Sequence, residues 1–265
     1  MKSWLYILFL LPLLCGCEKE LDFHYHDVES QLVIEGRLRE TGAKITLSYT
    51  VPMGEASDSV FLRDAEVRLT DLIENETVTL KPDKDGIFTD SKPGRPGHEY
   101  LLSVKRDGKE FSAMCRMRQR VDSLELSFQW IKMPYDHVAV LQVSFNESPD
   151  PDDCYWIRLY RNDAPYKWLL SSGKNAVNGK INEVTFTTRK DLEEEDEKDI
   201  LRDGDRMTAR VVAVSREMYD YLVAVQSDSN GPQMFSGDFC LGYFLAGEEA
   251  EETIVFHPDE IPGPF

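Results

Sequence analysis

Residues 100–115, which read YLLSVKRDGKEFSAMC, hold two β-rich runs on either side of an Asp-Gly pair. Apolar and polar residues largely alternate in both runs, which is typical of strands that bury one face and expose the other. Asp-Gly between two such runs favours a tight turn, because a type I′ turn needs a positive φ at both central residues. The segment therefore predicts a β-hairpin.

Runs of the same kind fill the rest of the first half. They lie at residues 32–38, 45–51, 65–70 and 78–80. Segments rich in Pro, Gly and Asp at 82–86 and 93–97 separate neighbouring runs and favour turns. Short strands at regular spacing predict a β-sandwich over residues 31–118.

The second half, residues 119–265, continues the pattern with one exception. Strands are predicted at 124–130, 138–145, 155–160, 182–187, 207–214, 241–245 and 253–256. Ser215 is a suitable helix cap, and Met218, Tyr221, Leu222 and Val225 recur at helical spacing, which predicts a helix at 216–226. The chain is therefore predicted to be mainly β, with two Ig-like or prealbumin-like β-sandwich domains, the second of which carries one short helix.

The N-terminus has the pattern of an export signal. Residues 4–14 are mostly apolar and follow Lys2, but a helix that spans a bilayer needs about 20 apolar residues. Leu14-Cys15-Gly16-Cys17 resembles the bacterial lipobox, in which the last Cys receives a diacylglycerol. We predict a signal peptide at 1–16 and lipidation of Cys17. An ordinary secretory signal is the alternative.

Residues 17–30 are predicted to be a lipidated tether. Glu18-Lys19-Glu20-Leu21-Asp22 resembles the short signal that sends lipoproteins of Bacteroidota to the outer face of the outer membrane. This predicts a lipid-anchored protein on the cell surface, with a periplasm-facing anchor or a plain solvated tether as the alternatives. His24 and His26 supply only two local metal ligands, so a polar tether is expected there rather than a metal site.

Composition excludes two broad classes of protein. Hydrophobic residues make up 42% of the chain, which is enough for a core and argues against a disordered protein. The 48 acidic and 30 basic residues give a net charge of −18. Such a surface repels phosphate, so no nucleic-acid partner is expected.

Four stretches together resemble a family of Bacteroidota lipoproteins, domain-of-unknown-function family 4249. They are LVIEG at 32–36, DAEVRLTD at 64–71, GHEYLLSV at 97–104 and LGYF at 241–244. The first half is also similar to prealbumin-like and carboxypeptidase-regulatory-like sandwiches. Members of the family are often encoded beside TonB-dependent transporters, so the resemblance implies a transporter-associated surface lipoprotein. Residues 236–239 depart from the family's closing loop.

Tyr166 and Trp168 are the candidate ligand-binding residues. Both follow Pro165 in a predicted turn, and exposed aromatic rings stack on sugars or cover peptides. Trp156, on an alternating strand, is expected in the core.

For several acidic or cysteine-containing segments, a structural role is expected rather than a binding site. Residues 146–153 are expected to form a turn, with calcium binding as a minor alternative, and the acidic blocks at 191–199 and 248–252 are expected to be solvated. Cys115, Cys154 and Cys240 are expected to be buried thiols, although one disulfide among them remains open. No cofactor or metal is expected.

The sequence contains no Gly-x-Ser-x-Gly, His-Glu-x-x-His or Walker-type motif. We therefore expect no enzyme, since a hydrolase would need a cleft with perturbed carboxylates. The main hypothesis is a surface-exposed outer-membrane lipoprotein that assists or binds a TonB-dependent transporter in nutrient uptake. The alternative is an independent glycan- or peptide-binding surface module.

The anchor is tested by Cys17→Ala. Each buried CH₂ of an acyl chain contributes about 0.8 kcal/mol to membrane affinity, so loss of the only acceptor thiol should release the protein from membranes. Carbonate washing followed by flotation measures this release, with Cys15→Ala as the matched control that should stay bound. A Cys17→Ala variant that still floats with the outer membrane would overturn the assignment.

Overall fold

The computed structural model describes residues 29–51, 61–134, 137–150, 152–189 and 200–262. These residues form a mainly β structure with a single α-helix, as the sequence predicts. The predicted signal peptide, Cys17, the two histidines of the tether and the acidic block at 191–199 lie outside the described residues.

The described residues of the first half form seven strands. They are β1 (Leu32–Arg39), β2 (Gly42–Tyr49), β3 (Glu66–Asp71), β4 (Glu76–Pro82), β5 (Phe88–Asp90), β6 (Glu99–Arg106) and β7 (Lys109–Arg116). The hairpin predicted at Asp107-Gly108 is confirmed. It joins β6 to β7, and its two central residues have φ angles of 51° and 76°.

The remaining elements come from the second half. They are β8 (Glu125–Lys132), β9 (His137–Asn146), β10 (Cys154–Arg161), β11 (Ala164–Ser172), a 3₁₀ turn (Gly173–Asn175), β12 (Lys180–Arg189), β13 (Arg206–Val214), α1 (Arg216–Gln226), β14 (Ser236–Gly237), β15 (Leu241–Ala246) and β16 (Ala250–Val255). The predicted helix therefore has the observed bounds. Ser215 caps it, because its Oγ accepts a hydrogen bond from the Met218 backbone N–H at 3.1 Å.

The largest sheet has the strand order β14-β7-β6-β3-β4-β5-β2-β1-β15. It curls over one hydrophobic core, because alternate residues of its strands point inward and are buried. Ile34, Ile45, Leu102 and Val104 lie there with no exposed surface. Burial of each such side chain contributes about 1.5–3 kcal/mol, so this core holds the curled sheet together.

A second core lies between two smaller sheets. One has the order β11-β10-β13-β16 and the other β12-β9-β8. Phe145 of β9 and Tyr155 of β10 meet edge to face across it, with ring centroids 4.8 Å apart.

The strand predicted at 241–245 lies in a different place from the one expected. It was predicted to close the second domain, but β15 instead pairs in parallel with β1, with Ile34 opposite Gly242 and Gly36 opposite Phe244. The short strand β14 joins the other edge of the same sheet through β7. The hydrophobic pattern cannot show this, because it predicts a strand without naming its partner. The division into two domains stays a prediction.

A third apolar layer joins the two parts. Tyr243 and Leu245, on the outer side of β15, pack with Val212 and Val214 of β13 and with Met218 of α1. The strand β13 is therefore covered on both faces, which explains its nearly continuous burial.

Gly242→Ala should destabilise the protein by about 3–4 kcal/mol. Gly242 has a φ of 104°, and an added Cβ would lie 2.0 Å from the Ile34 carbonyl oxygen, so the β1–β15 pairing would have to shift. Gly179→Ala is the matched control, because Gly179 also has a positive φ, 77°, but no atom lies within 4 Å of its added Cβ. It should cost about 1 kcal/mol. Urea unfolding of the full chain measures both, and equal losses would contradict the argument.

Candidate functional site

A groove of about 690 Å³ lies on the outer face of β1, β2, β5 and β15. Its polar lining comes mainly from Glu35, Arg37, Arg39, Lys44, Thr46 and Asp90, and its aromatic lining from Phe61 and Tyr243. The alternation of β1 creates this surface. Ile34 and Leu38 face the core, so Glu35, Arg37 and Arg39 must face outward.

Glu249, in the connection between β15 and β16, pairs with two arginines that line the groove. Its carboxylate lies 3.3 Å from an Nη of Arg37 and 3.8 Å from one of Arg39, and it also pairs with Arg158 of β10. Only 9% of its side chain is exposed. One carboxylate therefore ties β1 of the large sheet to β10 of the second sandwich, with little competition from water.

Both carboxylate oxygens of the neighbouring Glu248 also accept hydrogen bonds. Its Oε1 accepts a hydrogen bond from Arg39 at 2.6 Å, and its Oε2 accepts one from the Glu40 backbone N–H at 3.0 Å. Burial works against ionisation of this carboxyl, but these hydrogen bonds outweigh it and keep the pKa of Glu248 below its usual value. Glu248 is therefore a charged anchor of the groove at neutral pH.

The segment 248–252 was predicted to be solvated, and for its first two residues this is wrong. The sheet that β15 enters brings Glu248 and Glu249 against outward-facing arginines of β1, and the ion pairs repay the cost of removing these carboxylates from water. Glu251 and Glu252 are exposed as expected.

Arg37 also contacts Tyr243, an aromatic residue that lines the groove. Its Nη2 donates to the Tyr243 hydroxyl at 3.0 Å, and its guanidinium lies 5.3 Å from the centre of the Trp156 ring. Burial raises the pKa of Tyr243 although Arg37 acts in the opposite direction. The phenol is therefore neutral at physiological pH, and its oxygen accepts from Arg37.

The two predicted ligand-binding aromatics lie in β11 and not in a turn. A bulge opposite Leu159 and Tyr160 interrupts the pairing of this strand with β10. Tyr166 packs against the core of the second sandwich, whereas Trp168 packs in the layer shared with the large sheet, 6.2 Å from Trp156. The structure does not bring these two rings together, and their role in binding stays a prediction.

Trp156 itself is half-buried in the same shared layer rather than in the core of a sandwich. Its neighbours are Trp168, Tyr243 and the guanidinium of Arg158, which lies 4.7 Å from the ring centre. Through its contact with Arg37, it packs against a residue that lines the groove.

Two aspartates of the acidic turn at 146–153 pair with the guanidinium of Arg118. Asp150 accepts a hydrogen bond from Arg118 at 2.8 Å, and the buried Asp153 pairs with the same side chain. Burial raises the pKa of the Asp153 carboxyl, although Arg118 lowers it. Within the described ranges, no cluster of three or more His, Cys, Asp or Glu side chains is arranged for a metal ion.

The three cysteines of the body are free thiols. Cys154 and Cys240 are buried, and burial raises the pKa of Cys240 to about 12. Cys115 is half-buried and accepts a hydrogen bond from the Ala246 backbone N–H at 3.3 Å, which joins β7 to the end of β15. Their role in this structure is that of small packing groups.

Sequence reasoning missed the arginine and glutamate pairs of the groove. A signal existed in β1, where residues 35, 37 and 39 place three charges on the face opposite the apolar residues. The glutamates that pair with Arg37 and Arg39 lie more than 200 residues away, so these contacts could not be inferred from spacing.

The fold and the site together define a mainly β chain with a polar groove on the outer face of a curled sheet. The chain belongs to the family described as Domain of unknown function (DUF4249), whose model matches residues 18–253. No curated protein matches the sequence.

Solved structures resemble the chain only distantly. A chain of a cytokine receptor complex has 10% identity and a TM-score of 0.28, with 84% of this chain and 99% of that chain covered. A Bacteroides uniformis protein, provisionally described as carbohydrate binding, has 12% identity and a TM-score of 0.22, with coverages of 69% and 88%. None of the helices in the described part of the chain has the length and hydrophobicity needed to cross a bilayer.

Glu249→Gln tests the anchor of the groove. The substitution keeps the shape but removes the charge that faces three guanidinium groups, so the free energy of unfolding should fall by about 3 kcal/mol. Glu251→Gln is the control, since Glu251 pairs with Arg210 where both side chains are 40% or more exposed, and it should cost about 1 kcal/mol or less. Chemical unfolding of both variants distinguishes them. Similar small losses would show that Glu249 is not an anchor.

Proposed function

We propose that this protein is a non-enzymatic lipoprotein displayed on the outer membrane, and that its groove docks a TonB-dependent transporter to assist nutrient uptake. The lipobox ending at Cys17 and the acidic residues after it support the location. The resemblance to transporter-associated lipoproteins supports the partner.

The observation that carries the docking role is the mixed charge of the groove. Arg39 and Lys44 stand beside Glu35 and Asp90 on one surface. Arginine and tyrosine are enriched at protein interfaces, and alternating charges select a partner whose own charges are arranged in complement. A polypeptide loop with acidic and basic side chains offers such a pattern.

Ion pairs also hold the arginine side chains of the groove in place. Glu249 pairs with Arg37 of β1 and Arg158 of β10, and Glu248 binds Arg39, so the two arginines of the groove are held in position before a partner arrives. A preorganised surface loses less conformational entropy on binding, which favours affinity.

The length of the tether agrees with docking at the membrane. Gln31 lies fourteen residues after Cys17, and a fully extended chain spans about 3.3–3.6 Å per residue, so this tether reaches at most about 50 Å. The strand β1 begins at Leu32 and lines the groove. A lipid at Cys17 would therefore hold the groove within reach of the outer surface of a neighbouring barrel.

Affinity purification from detergent-solubilised outer membranes tests the proposal. The tagged full chain should recover a β-barrel protein, identified by mass spectrometry. Lys44→Glu should reduce that recovery at least about fivefold, because reversal of one exposed charge breaks the complementary pattern.

Lys109→Glu is the matched control. Lys109 is equally a solvent-exposed lysine, but it lies at the start of β7 and does not line the groove. It should leave recovery unchanged. Repeated purification of the protein alone, or equal loss in both variants, would refute the docking role.

A further inference from the structure

The outer side of the sheet β12-β9-β8 carries a second polar surface, which differs from the groove because its polar groups are mainly uncharged. We call it the neutral face, and it is formed by Ser127, Gln129, Gln142, Ser144, Asn182 and Phe186. These residues point away from the second core, because their strand neighbours Phe128, Leu141, Val143 and Ile181 point into it. The strand register places Gln129, Val140 and Phe186 in one row and Ser127, Gln142 and Val184 in the next.

A chain of hydrogen bonds crosses the neutral face. The Gln129 amide donates to the Gln142 carbonyl oxygen at 2.8 Å, and the Gln142 amide donates to Asn182 Oδ1 at 3.2 Å. The Ser144 hydroxyl donates to the same Asn182 oxygen at 2.8 Å. Each amide orients the next, so the whole array is fixed across three strands.

The two ends of this chain keep unused capacity. An amide has a carbonyl oxygen that accepts and an NH₂ group that donates. Gln129 uses its NH₂ group and Asn182 its oxygen, which leaves an acceptor at one end and donors at the other without a partner among the described residues. A ligand with both O–H donors and oxygen acceptors complements the two ends.

An exposed ring lies beside the amides. Phe186 is 58% exposed and Val184 47% exposed. Both belong to β12, and the register of this strand with β9 shifts directly after Phe186. An aromatic ring next to oriented amides is the combination that binds a polar molecule with an apolar side.

Charge is scarce in the three rows that hold the amides. Of their nine positions, only Glu125 at one end is ionisable. Two cations flank these rows: Lys180 lies in the adjoining row, and Lys167 Nζ donates a hydrogen bond to the Phe186 backbone oxygen at 3.2 Å. The whole chain carries a net charge of −18. An acidic ligand would be repelled by the protein, and a cationic one has acidic surfaces elsewhere to bind. An uncharged ligand fits best.

We infer that the neutral face binds an uncharged glycan. The sugar hydroxyls exchange hydrogen bonds with the amides of Gln129 and Asn182, and a C–H face of the sugar ring rests on Phe186. This inference does not depend on the transporter, and it assigns the ligand to a surface separate from the groove.

Affinity electrophoresis of the full chain tests the inference. The protein is solubilised in a polyoxyethylene detergent, which has no sugar headgroup, and run in native gels that contain starch, xyloglucan, galactomannan or, as an anionic comparison, polygalacturonate. At least one neutral polysaccharide should retard the chain, and polygalacturonate should not. Phe186→Ala and the nearly isosteric Gln129→Glu should each weaken the retardation about tenfold.

Two variants serve as controls. Phe239→Ala removes another ring that is 58% exposed, and Gln233→Glu adds a charge at another exposed amide. Neither should change the retardation. Absence of retardation in all three neutral gels, retardation by polygalacturonate alone, or equal effects in controls and test variants would overturn the inference. Transporter recovery with Phe186→Ala should remain normal, which separates this result from the docking proposal.

Discussion

The parallel pairing of β1 with β15 is the constraint on which the rest of this structure depends. It brings residues 241–246 into a sheet that otherwise consists of residues 32–116 and the short strand β14. Once β15 lies there, the next residues, Glu248 and Glu249, must lie beside Arg37 and Arg39. The ion pairs of the groove arginines and the apolar layer around Tyr243 both follow from this placement.

The same pairing explains how an acidic chain keeps buried charges. Removal of a carboxylate from water costs several kcal/mol, and this cost is offset only where cations and hydrogen-bond donors are already in position. Three arginines from two strands supply them around Glu249. At Asp153 the compensation comes from Arg118, at the point where the chain passes from the first half to the second. Both clusters lie where the two parts of the molecule meet.

Two surfaces of different chemistry result. The groove carries charges of both signs, whereas the neutral face carries amides, hydroxyl groups and an exposed phenyl ring. A protein partner and an uncharged sugar make opposite demands on a surface, since the first needs matched charges and the second needs oriented neutral hydrogen-bonding groups. Their separation would let one molecule hold a ligand and a partner at the same time.

The sequence by itself determined the local structure. Period-two alternation predicted most strands, Asp107-Gly108 predicted a hairpin, and Ser215 with its spaced apolar residues predicted the helix at its observed bounds. These features depend on interactions between residues close in the chain. Only the tertiary structure decided that β15 pairs with β1, that Tyr166 and Trp168 lie in different layers, and that Glu249 faces three arginines. The physical reason is that alternation indicates which face of a strand is buried but carries no information about which strand lies beside it.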